Sequence, residues 1–378
     1  MKSVNSVLKN VRGRRVLLRV DLNLPMENGK VKDQFRLLKT LPAIKALKRS
    51  GAIVILASHL EVSGRNPSLR PVLKILRKHL GEVGFAGRID REAVKKTKGL
   101  RPGGVLLLEN LRRDPGEEKN SSSFSKKLSA LGDLYVNEAF SASHRKHASI
   151  VGVPKRLPSF AGPLFLNELA MLKRAMNPSR PFLFILGGNK LSTKISLIEK
   201  FFKKADFIVV GGLMMLPMFP FWGWGTGRTS YEKARFSFAE KLSRSSKVFK
   251  PRDLIVSGPK GRRKVLSGQV LADEKICDFG PESLKDVGAR IKKSKFVFWN
   301  GPMGYLEGGF EEGTETLARS LARSRARVFV GGGDTAGFLQ RKRLGKNFYF
   351  ISTGGGASLD FLAKGTLPGI EALEKSRG

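Results

Sequence analysis

The sequence is poor in the residues that build disulfide frameworks and metal clusters. It has one cysteine, Cys277, and four histidines in 378 residues. A single cysteine excludes an intramolecular disulfide and suits a reducing compartment, so a cytoplasmic location is expected. The histidines and the cysteine show none of the spacings typical of zinc sites.

The sequence also lacks a long uninterrupted hydrophobic run. Its N-terminus has neither the apolar stretch nor the cleavage site of a signal peptide. The most apolar region, 207–224, is interrupted by Pro217, Pro220 and a pair of glycines. We expect a buried strand followed by a loop there, not a membrane span, and no membrane partner.

Acidic residues are scarce beside basic ones. The chain has 32 Asp and Glu against 70 Lys and Arg, a net charge of +38. Such a field attracts nucleic acid, anionic lipid and small anions. The basic residues are spread along the whole chain, without a basic tail or a basic run interleaved with aromatics. We therefore favour a solvated basic surface, with nucleic-acid binding only weak and non-specific.

Length and patterning predict two domains of the α/β class. A chain of 378 residues is too long for one ordinary core. Short apolar, β-branched runs alternate with longer helical patterns, which predicts βαβ units and parallel sheets. Asp33 and Gly51 bracket one candidate helix, and Ser68 is the candidate cap of another that runs through Leu80, with Gly81 at its end.

Charged and polar side chains follow the predicted strands of the first half. Open α/β sheets bind ligands at the carboxyl ends of their strands, and arginine holds carboxylate or phosphate through paired hydrogen bonds. The first half therefore predicts a small anion held by side chains. A surface arginine and a core histidine remain open as alternatives for single residues. The candidates are Asp21, Asn23, Arg36, His59, Arg112 and Arg145.

Glycines follow the predicted strands of the second half. They let the backbone approach a ligand closely, and the helix that follows offers free N–H groups for phosphate. Neither the Rossmann nor the Walker glycine pattern occurs at these strand ends, and one glycine pair alone is often only a tight turn. Five such ends predict a nucleotide held largely by backbone. They include Gly187-Gly188, Gly211-Gly212, Asn300-Gly301-Pro302, Gly331–Gly333 and Gly354–Gly356.

Two lysines and one aspartate are candidates for phosphoryl-transfer chemistry, which needs positive charge around the moving group. Lys190 and Lys194 are four apart at the start of a helix predicted over 191–202, so they would share one face. An ordinary solvated helix face is the alternative. Asp334 opens another predicted helix as a carboxylate for Mg²⁺ or as an N-cap.

Eleven segments, in order, resemble the phosphoglycerate kinase family. They are RVDLNLP (19–25), DQFRLLKTLPAI (33–44), ASHL (57–60), LLLENLRR (106–113), VNEAFSASHRKHAS (136–149), FAGPLFLNEL (160–169), GGNKLSTKI (187–195), CDFGPES (277–283), FWNGPMGYLEGGFEEGT (298–314), GGGDTAG (331–337) and STGGGASLDFLAKGTLPGIEAL (352–373). Together they cover the chain from near residue 15 to the C-terminus.

The resemblance implies two Rossmann-like domains with parallel sheets joined by a hinge helix. The 3-phosphoglycerate domain would be 1–162 completed by the tail 364–378, the hinge helix 163–176, and the nucleotide domain 177–363. It further implies a cytoplasmic, monomeric, hinge-bending kinase of glycolysis. This enzyme moves a phosphoryl group reversibly between 1,3-bisphosphoglycerate and ADP with Mg²⁺, giving 3-phosphoglycerate and ATP.

The resemblance also implies residue roles. Arg36, Lys190 and Lys194 would be catalytic, and Asp334 would hold the metal. Glu307 would accept hydrogen bonds from the ribose. The residues implied for 3-phosphoglycerate are Asp21, Asn23, Arg36, His59, Arg112 and Arg145. Those implied for the nucleotide are Gly187, Gly188, Lys190, Lys194, Gly211, Gly212, Asn300, Pro302, Glu307, Gly332, Gly333, Asp334 and Thr335.

The chain departs from the family pattern at several positions. The family usually has SHLGRP where this chain has SHLEVS, so Val62 stands where an arginine is expected. Arg65, three residues on, is our candidate replacement in the substrate site. Leu213 stands where a third glycine is common, and Glu138 and Ser141 stand where Asp and Gly are usual.

Two other functions remain open at this point. One is a basic binding protein on a kinase scaffold, with weak or lost catalysis. The presence of Arg36, Lys190, Lys194 and Asp334 weighs against it. The other is an unrelated nucleotide-binding α/β enzyme, which would require the ordered segments to be coincidence.

Overall fold

The computed structural model describes residues 1–232 and 236–376. The chain forms two compact units, one of residues 1–172 with the C-terminal segment from Gly356, the other of 173–355. Each contains a parallel sheet with helices, so the predicted α/β class is confirmed.

The first unit is built on a six-stranded parallel sheet. Its strands read as nearly continuous hydrophobic runs because helices cover both faces of such sheets. The strands are β1 (Arg15–Arg19), β4 (Ile53–Ala57), β5 (Gly84–Ala86), β6 (Val105–Leu108), β7 (Leu134–Asn137) and β8 (Ser159–Ala161), in the order β5-β6-β4-β1-β7-β8; β2 (Met26–Glu27) and β3 (Lys30–Val31) form a small hairpin. The helices are α1 (Phe35–Arg49), α2 (Arg70–Leu80), α3 (Arg91–Lys98), α4 (Pro115–Glu118), α5 (Ser122–Ser129) and α6 (Pro163–Met176).

The ends of α1 and α2 lie close to the predicted signals, but the N-cap of α2 is Leu69 and not Ser68. The Asp33 carboxylate accepts the Phe35 N–H at 2.7 Å, and the Ser68 hydroxyl accepts the Arg70 N–H at 3.1 Å. Gly51 and Gly81 follow the helices with φ of 75° and 78°, a region that glycine enters freely. Asp33 and Ser68 thus lie two residues before the first residue of each helix, and a predicted glycine follows each helix end.

The second unit contains a five-stranded parallel sheet and a separate antiparallel sheet. The parallel strands are β9 (Phe182–Leu186), β10 (Phe207–Val210), β14 (Phe296–Asn300), β15 (Arg327–Gly331) and β16 (Phe350–Ile351), in the order β10-β9-β14-β15-β16. The antiparallel strands are β11 (Asp253–Gly258), β12 (Gly261–Leu266) and β13 (Lys275–Phe279), in the order β12-β11-β13. The helices are α7 (Ile195–Phe202), α8 (Phe236–Ser243), α9 (Pro281–Lys293), α10 (Glu312–Ala322) and α11 (Gly333–Arg341).

The apolar region 207–224 is only partly as predicted. The strand is present as β10, but the expected loop is an eleven-residue 3₁₀ helix, Gly212–Trp222. Pro217 and Pro220 lack the N–H that an α-helix would need, which accounts for the irregular winding. Among the described residues, no helix has the length and apolar character needed to cross a membrane.

The C-terminal segment belongs to the first unit. It contains α12 (Gly356–Lys364) and α13 (Pro368–Glu374). The Gly369 N–H donates to the Ser143 carbonyl at 2.9 Å, and Phe361 meets Phe140 edge to face at 6.2 Å between ring centres. The boundary between the units falls inside α6, after Leu172.

Candidate active site

The strand order of the first unit places its polar strand ends side by side. β6, β4, β1 and β7 are successive neighbours and parallel, so their carboxyl ends share one edge of the sheet. Each strand is followed by a predicted residue: β6 by Arg112, β4 by His59, β1 by Asp21 and β7 by Arg145. The predicted anion residues therefore form one cluster, with the exception of Arg65.

Arg36 and Asp21 form a half-buried ion pair at this edge. Arg36 lies in the first turn of α1, and its Nη1 donates to Asp21 Oδ2 at 3.0 Å and to the Asn23 carbonyl at 3.4 Å. The same carboxylate accepts the Asn23 N–H at 3.0 Å and the Ser141 hydroxyl. Arg36 keeps a quarter of its side chain exposed (25%), so the guanidinium remains accessible to a ligand.

Arg19, which the sequence predictions missed, lies beneath the cluster. It is buried at the end of β1 and donates to Ser149 Oγ at 3.0 Å, to the Val20 carbonyl at 2.6 Å and to His59 Nδ1 at 3.0 Å. Ser149 in turn donates to Glu117 at 2.6 Å. A charged residue inside the apolar run 16–20 was the available signal, because an unpaired buried charge is costly.

His59 is held neutral in one tautomer. Burial, followed by the positive charges of Arg19 and Arg112, keeps the pKa of His59 well below its ordinary value. A guanidinium only donates hydrogen bonds, so the contact from Arg19 makes Nδ1 the acceptor and leaves the proton on Nε2. The ring can thus offer a neutral N–H donor to an anion.

Arg112 and Arg145 complete the cationic side of the cluster. Arg112 is buried, and its guanidinium pairs with the carboxylates of Glu61 and, at 3.4 Å, of Glu118. Burial and the charge of Arg145 lower the pKa of Arg112. Arg145 Nε donates to His144 Nε2 at 3.2 Å. The concentration of positive charge is high enough that the arginines perturb one another.

The structure does not bring Arg65 into the cluster. Val62 and Arg65 close a two-residue hairpin turn, with hydrogen bonds of 2.9 and 3.0 Å between their backbones. Residues paired in this way project to the same side. Val62 packs against the core of the first unit. Arg65 is exposed, and its side chain makes no polar contact with any residue in the described part of the chain.

In the second unit, the predicted nucleotide residues surround a cavity of about 530 Å³. They come from the carboxyl ends of β9, β10, β14 and β15 and from the loops that follow. Gly211 and Gly333 neighbour lining residues without lining the cavity themselves. The predicted residues that do line it are Gly187, Gly188, Lys190, Lys194, Gly212, Asn300, Pro302, Glu307, Gly332, Asp334 and Thr335.

Glycine is required where the loops after β9 and β14 cross. A Cβ on Gly187 would lie 1.9 Å from the Pro302 carbonyl oxygen. Gly301 adopts a φ of +93°, and a Cβ there would lie 2.2 Å from the Gly187 carbonyl oxygen. Any side chain would push these backbones apart. The two strand ends therefore form one wall of the cavity.

The two lysines are placed differently from the prediction. Glu232 accepts the N–H of Ser192 at 3.0 Å and its hydroxyl at 2.6 Å, which holds a 3₁₀ turn over 192–194. The α-helix expected over 191–202 begins only at Ile195. Lys190 therefore precedes the helix, and the prediction that both lysines share one helical face is wrong.

Lys194 turns back towards the strand end while Lys190 stays exposed. The Nζ of Lys194 donates to the Gly187 carbonyl at 2.7 Å. Burial lowers the pKa of Lys194 to about 8, and the Asp334 carboxylate partly opposes the shift. Of these two lysines, Lys194 is thus held against the strand end and Lys190 is exposed to solvent or ligand.

Asp334 is not an N-cap. The helix α11 begins at Gly333 with Gly332 as its N-cap, so Asp334 lies within the first turn. Its carboxylate lines the cavity and makes no hydrogen bond or ion pair with the described residues. Within that part of the chain, no group of three His, Cys, Asp or Glu could hold a metal. Mg²⁺ bound through nucleotide phosphates needs only one or two carboxylates, so Asp334 fits it.

Asn300 presents an unsatisfied donor beside the glycine loop. Its Nδ2 is buried and has no hydrogen-bond partner in the described structure. A Cβ on Gly332 would lie 2.9 Å from this atom. Buried polar atoms are nearly always satisfied, so a missing partner indicates a ligand acceptor at this wall.

Several cavity residues come from the antiparallel sheet that the patterning did not predict. Asp278 accepts the N–H groups of Gly313 and Phe279 at 2.8 Å each. Burial nevertheless raises the pKa of Asp278 to about 6. Lys275 Nζ lies 4.0 Å from the centre of the Tyr305 ring. The segment CDFGPES at 277–283 was the available signal, through the resemblance alone.

One parallel α/β unit carries an arginine cluster, and the other carries a cavity that is walled by glycine and contains lysine. This combination defines a phosphotransferase that uses a nucleotide. The sequence model described as "Phosphoglycerate kinase" matches residues 5–365. The chain belongs to the phosphoglycerate kinase family, whose members are phosphotransferases with a carboxyl group as acceptor.

Known relatives match over almost the whole chain. Phosphoglycerate kinase of Thermus thermophilus is 40% identical over 380 residues, covering 96% of this chain and 97% of the relative. That of Pelotomaculum thermopropionicum is 39% identical over 384 residues, with 96% and 97% covered.

Two solved structures of phosphoglycerate kinases match the fold. The one from Coxiella burnetii has a TM-score of 0.81 and 33% identity, covering 97% of each chain. The one from Pyrococcus horikoshii has a TM-score of 0.90 and 30% identity, covering 99% of this chain and 98% of the other.

Proposed function

We propose that this chain transfers a phosphoryl group reversibly between 1,3-bisphosphoglycerate and ADP, giving 3-phosphoglycerate and ATP. The observation that carries the proposal is that one unit has an anion site made of side chains and the other has a nucleotide cavity walled by glycine. The reverse reaction tests it, because hydroxylamine traps the acyl phosphate formed from 3-phosphoglycerate and ATP. Hydroxamate that requires both substrates supports the proposal, and its absence with folded protein contradicts it.

The first domain, 1–162 with 364–378, is proposed to bind 3-phosphoglycerate. The ligand carries a carboxylate and a phosphate, and arginines hold both groups through charge-assisted hydrogen bonds. Arg36 is accessible and Arg112 is buried within the same cluster. Neutral His59 adds an N–H donor without adding charge. The proposed residues are Asp21, Asn23, Arg36, His59, Arg112 and Arg145, with Arg65 as a further candidate.

The second domain, 177–363, is proposed to bind the nucleotide, with 163–176 as the hinge helix between the domains. The glycine walls let phosphates approach the backbone, and the first turn of α11 offers free N–H groups. Lys194 supplies charge inside the cavity, and Glu307 is proposed to accept hydrogen bonds from the ribose. Asn300 Nδ2 would find its missing acceptor on the nucleotide.

Phosphoryl transfer is mostly a matter of positioning and of stabilising negative charge. Arg36 and Lys190 are proposed to flank the transferring group, and Lys194 to hold nucleotide phosphate oxygens. Asp334 is proposed to hold Mg²⁺, which neutralises phosphate charge when bound. None of these residues forms a covalent intermediate in this proposal.

Replacing Asp334 with alanine is expected to raise the Mg²⁺ concentration needed for half-maximal activity. Loss of one metal-binding carboxylate should shift the requirement on the order of 10-fold. A Mg²⁺ titration of ATP formation measures the shift. Asp273→Ala, which removes an exposed carboxylate elsewhere in the same unit, is the matched control. An unchanged titration for Asp334→Ala would refute the metal assignment.

Nucleotide affinity is expected to fall as pH rises through about 8, the pKa of Lys194. The lysine is charged below this pH and neutral above it. If phosphate binds only the charged form, the Kd for ADP should rise about tenfold between pH 7 and pH 9. Calorimetry across this range measures the rise. Lys194→Arg stays charged throughout and should remove it; a wild-type Kd independent of pH would contradict the role.

Arg65→Ala is expected to raise the KM for 3-phosphoglycerate several-fold, and Val62→Arg to lower it. Val62 and Arg65 are backbone partners across the hairpin turn, so a guanidinium at either position would belong to the same loop. An exposed charge contact is worth up to about 1 kcal/mol, roughly fivefold in affinity. Steady-state kinetics with saturating ATP measures both variants. Arg65 is only surface charge if its removal leaves this KM unchanged.

The proposal extends to location, assembly and partners. A free buried Cys277 and glycolytic substrates suit the cytoplasm. Both half-sites are complete within one chain, so a monomer suffices. Nucleic-acid binding is proposed only as a weak, salt-sensitive, sequence-independent consequence of the net charge of +38.

A further inference from the structure

We infer that Glu61 is a built-in competitor for the substrate anion at Arg112. This inference rests on the proposed function, because it assigns a new specificity-determining residue to the proposed 3-phosphoglycerate site. In the family pattern SHLGRP, the corresponding position is a glycine. The carboxylate of Glu61 is therefore a feature of this chain and not part of the implied substrate-binding set.

Glu61 forms an ion pair with the Arg112 guanidinium, which a ligand anion would need. The Arg112 side chain is 2% exposed and makes an ion pair with Glu61. Its Nε lies 3.4 Å from Glu118 but has no hydrogen-bond partner in the described structure. Glu61 is thus the carboxylate that accepts a hydrogen bond from this guanidinium. With so little surface accessible, Arg112 cannot pair fully with Glu61 and a substrate anion together.

The backbone of Glu61 is fixed within the same site. The Asn23 side-chain oxygen accepts the Glu61 N–H at 2.9 Å. The next residue, Val62, is anchored in the core and in the hairpin turn with Arg65. The Glu61 side chain remains 41% exposed, so it can swing into solvent without moving the backbone.

The surrounding charges explain why the competitor lowers affinity without abolishing it. Arg19 and Arg145 both act on Arg112 electrostatically. In the free protein, Glu61 offsets part of this positive charge. A substrate phosphate carries more negative charge than one carboxylate, so it displaces Glu61, and Glu61 re-pairs with Arg112 when product leaves. Binding is weaker, and release faster, than the arginine cluster alone would give.

Glu61→Gln is expected to tighten binding of 3-phosphoglycerate and of inorganic phosphate about 3–10-fold, because a partly exposed ion pair no longer competes. Isothermal titration calorimetry with each probe measures Kd without requiring turnover. The KM for 3-phosphoglycerate should fall by a similar factor while the KM for ATP stays unchanged. Glu82→Gln, at an exposed glutamate of the same unit, controls for net charge and should leave Kd unchanged.

A double-mutant cycle isolates the contact. In an Arg112→Gln background, Glu61→Gln should no longer tighten binding. If Arg112→Gln does not fold, the comparison of Glu61→Gln with Glu82→Gln still decides. Equal tightening in both glutamate variants, or no tightening in Glu61→Gln, would overturn the inference. If Glu61→Gln binds inorganic phosphate more tightly but the wild-type protein does not bind 3-phosphoglycerate, the competition is supported and the proposed substrate is contradicted. Absence of binding for both probes contradicts both.

Discussion

Arg36→Ala is expected to lower kcat by about 10²–10³-fold, because it removes a positive charge where negative charge develops in the transition state. Arg36 sits in the first turn of α1 with a quarter of its side chain exposed, and its Nη1 is held by Asp21 at 3.0 Å. The guanidinium is thus pre-oriented and needs little reorganisation to meet a phosphoryl group. Steady-state kinetics of ATP formation measures the loss.

Two further variants separate chemistry from general electrostatics. Arg36→Lys keeps the charge but loses the planar fork, so it should recover only part of the rate. Arg49→Ala removes an exposed arginine from the last turn of the same helix and should leave kcat near the wild-type value. Near-normal kcat in folded Arg36→Ala would show that the catalytic role of Arg36 is wrong.

Lys190→Ala is expected to reduce kcat by a similar factor, about 10²–10³-fold, while the Kd for ADP changes little. Lys190 is exposed at the cavity and lies before the helix, unlike half-buried Lys194, which donates to the Gly187 carbonyl at 2.7 Å. Lys190 makes no ion pair or side-chain hydrogen bond with the described residues, so this exposed cation can follow the moving phosphoryl group. Rapid-quench kinetics with calorimetry separates the chemical step from binding.

The matched control for Lys190 is Lys203→Ala, an exposed lysine at the end of the neighbouring helix. It removes the same charge from the same unit and should leave kcat unchanged. Should Lys190→Ala weaken ADP binding and spare kcat, Lys190 would be a nucleotide-binding residue and not a catalytic one.

Sequence patterning located the candidate site because parallel strands align their carboxyl ends. Once the strands are recognised, Arg112, His59 and Asp21 must meet, and the structure places them at one edge. The glycine ends of β9 and β14 were predictable for the same reason. Their close crossing, with a Cβ on Gly187 only 1.9 Å from Pro302, shows why glycine is needed there.

Patterning could not place residues whose position depends on tertiary hydrogen bonds. Glu232 lies 40 residues beyond Ser192, yet it holds the turn that separates Lys190 from the helix. In the sequence, Arg19 only interrupts an apolar strand. Its role follows from its hydrogen bonds to Ser149 and His59 in the folded structure. The antiparallel sheet of β11–β13 was missed because β12 is charged and mostly exposed, so it lacks the apolar run by which the other strands were recognised.

The most direct test of the proposed reaction is ATP formation from 1,3-bisphosphoglycerate and ADP with Mg²⁺. The purified chain should form ATP and 3-phosphoglycerate in equal amounts, with no ATP when either substrate is left out. The Arg36→Ala variant should show the large loss of rate in the same assay. Absence of ATP formation by folded wild-type protein with both substrates saturating would contradict the proposed reaction.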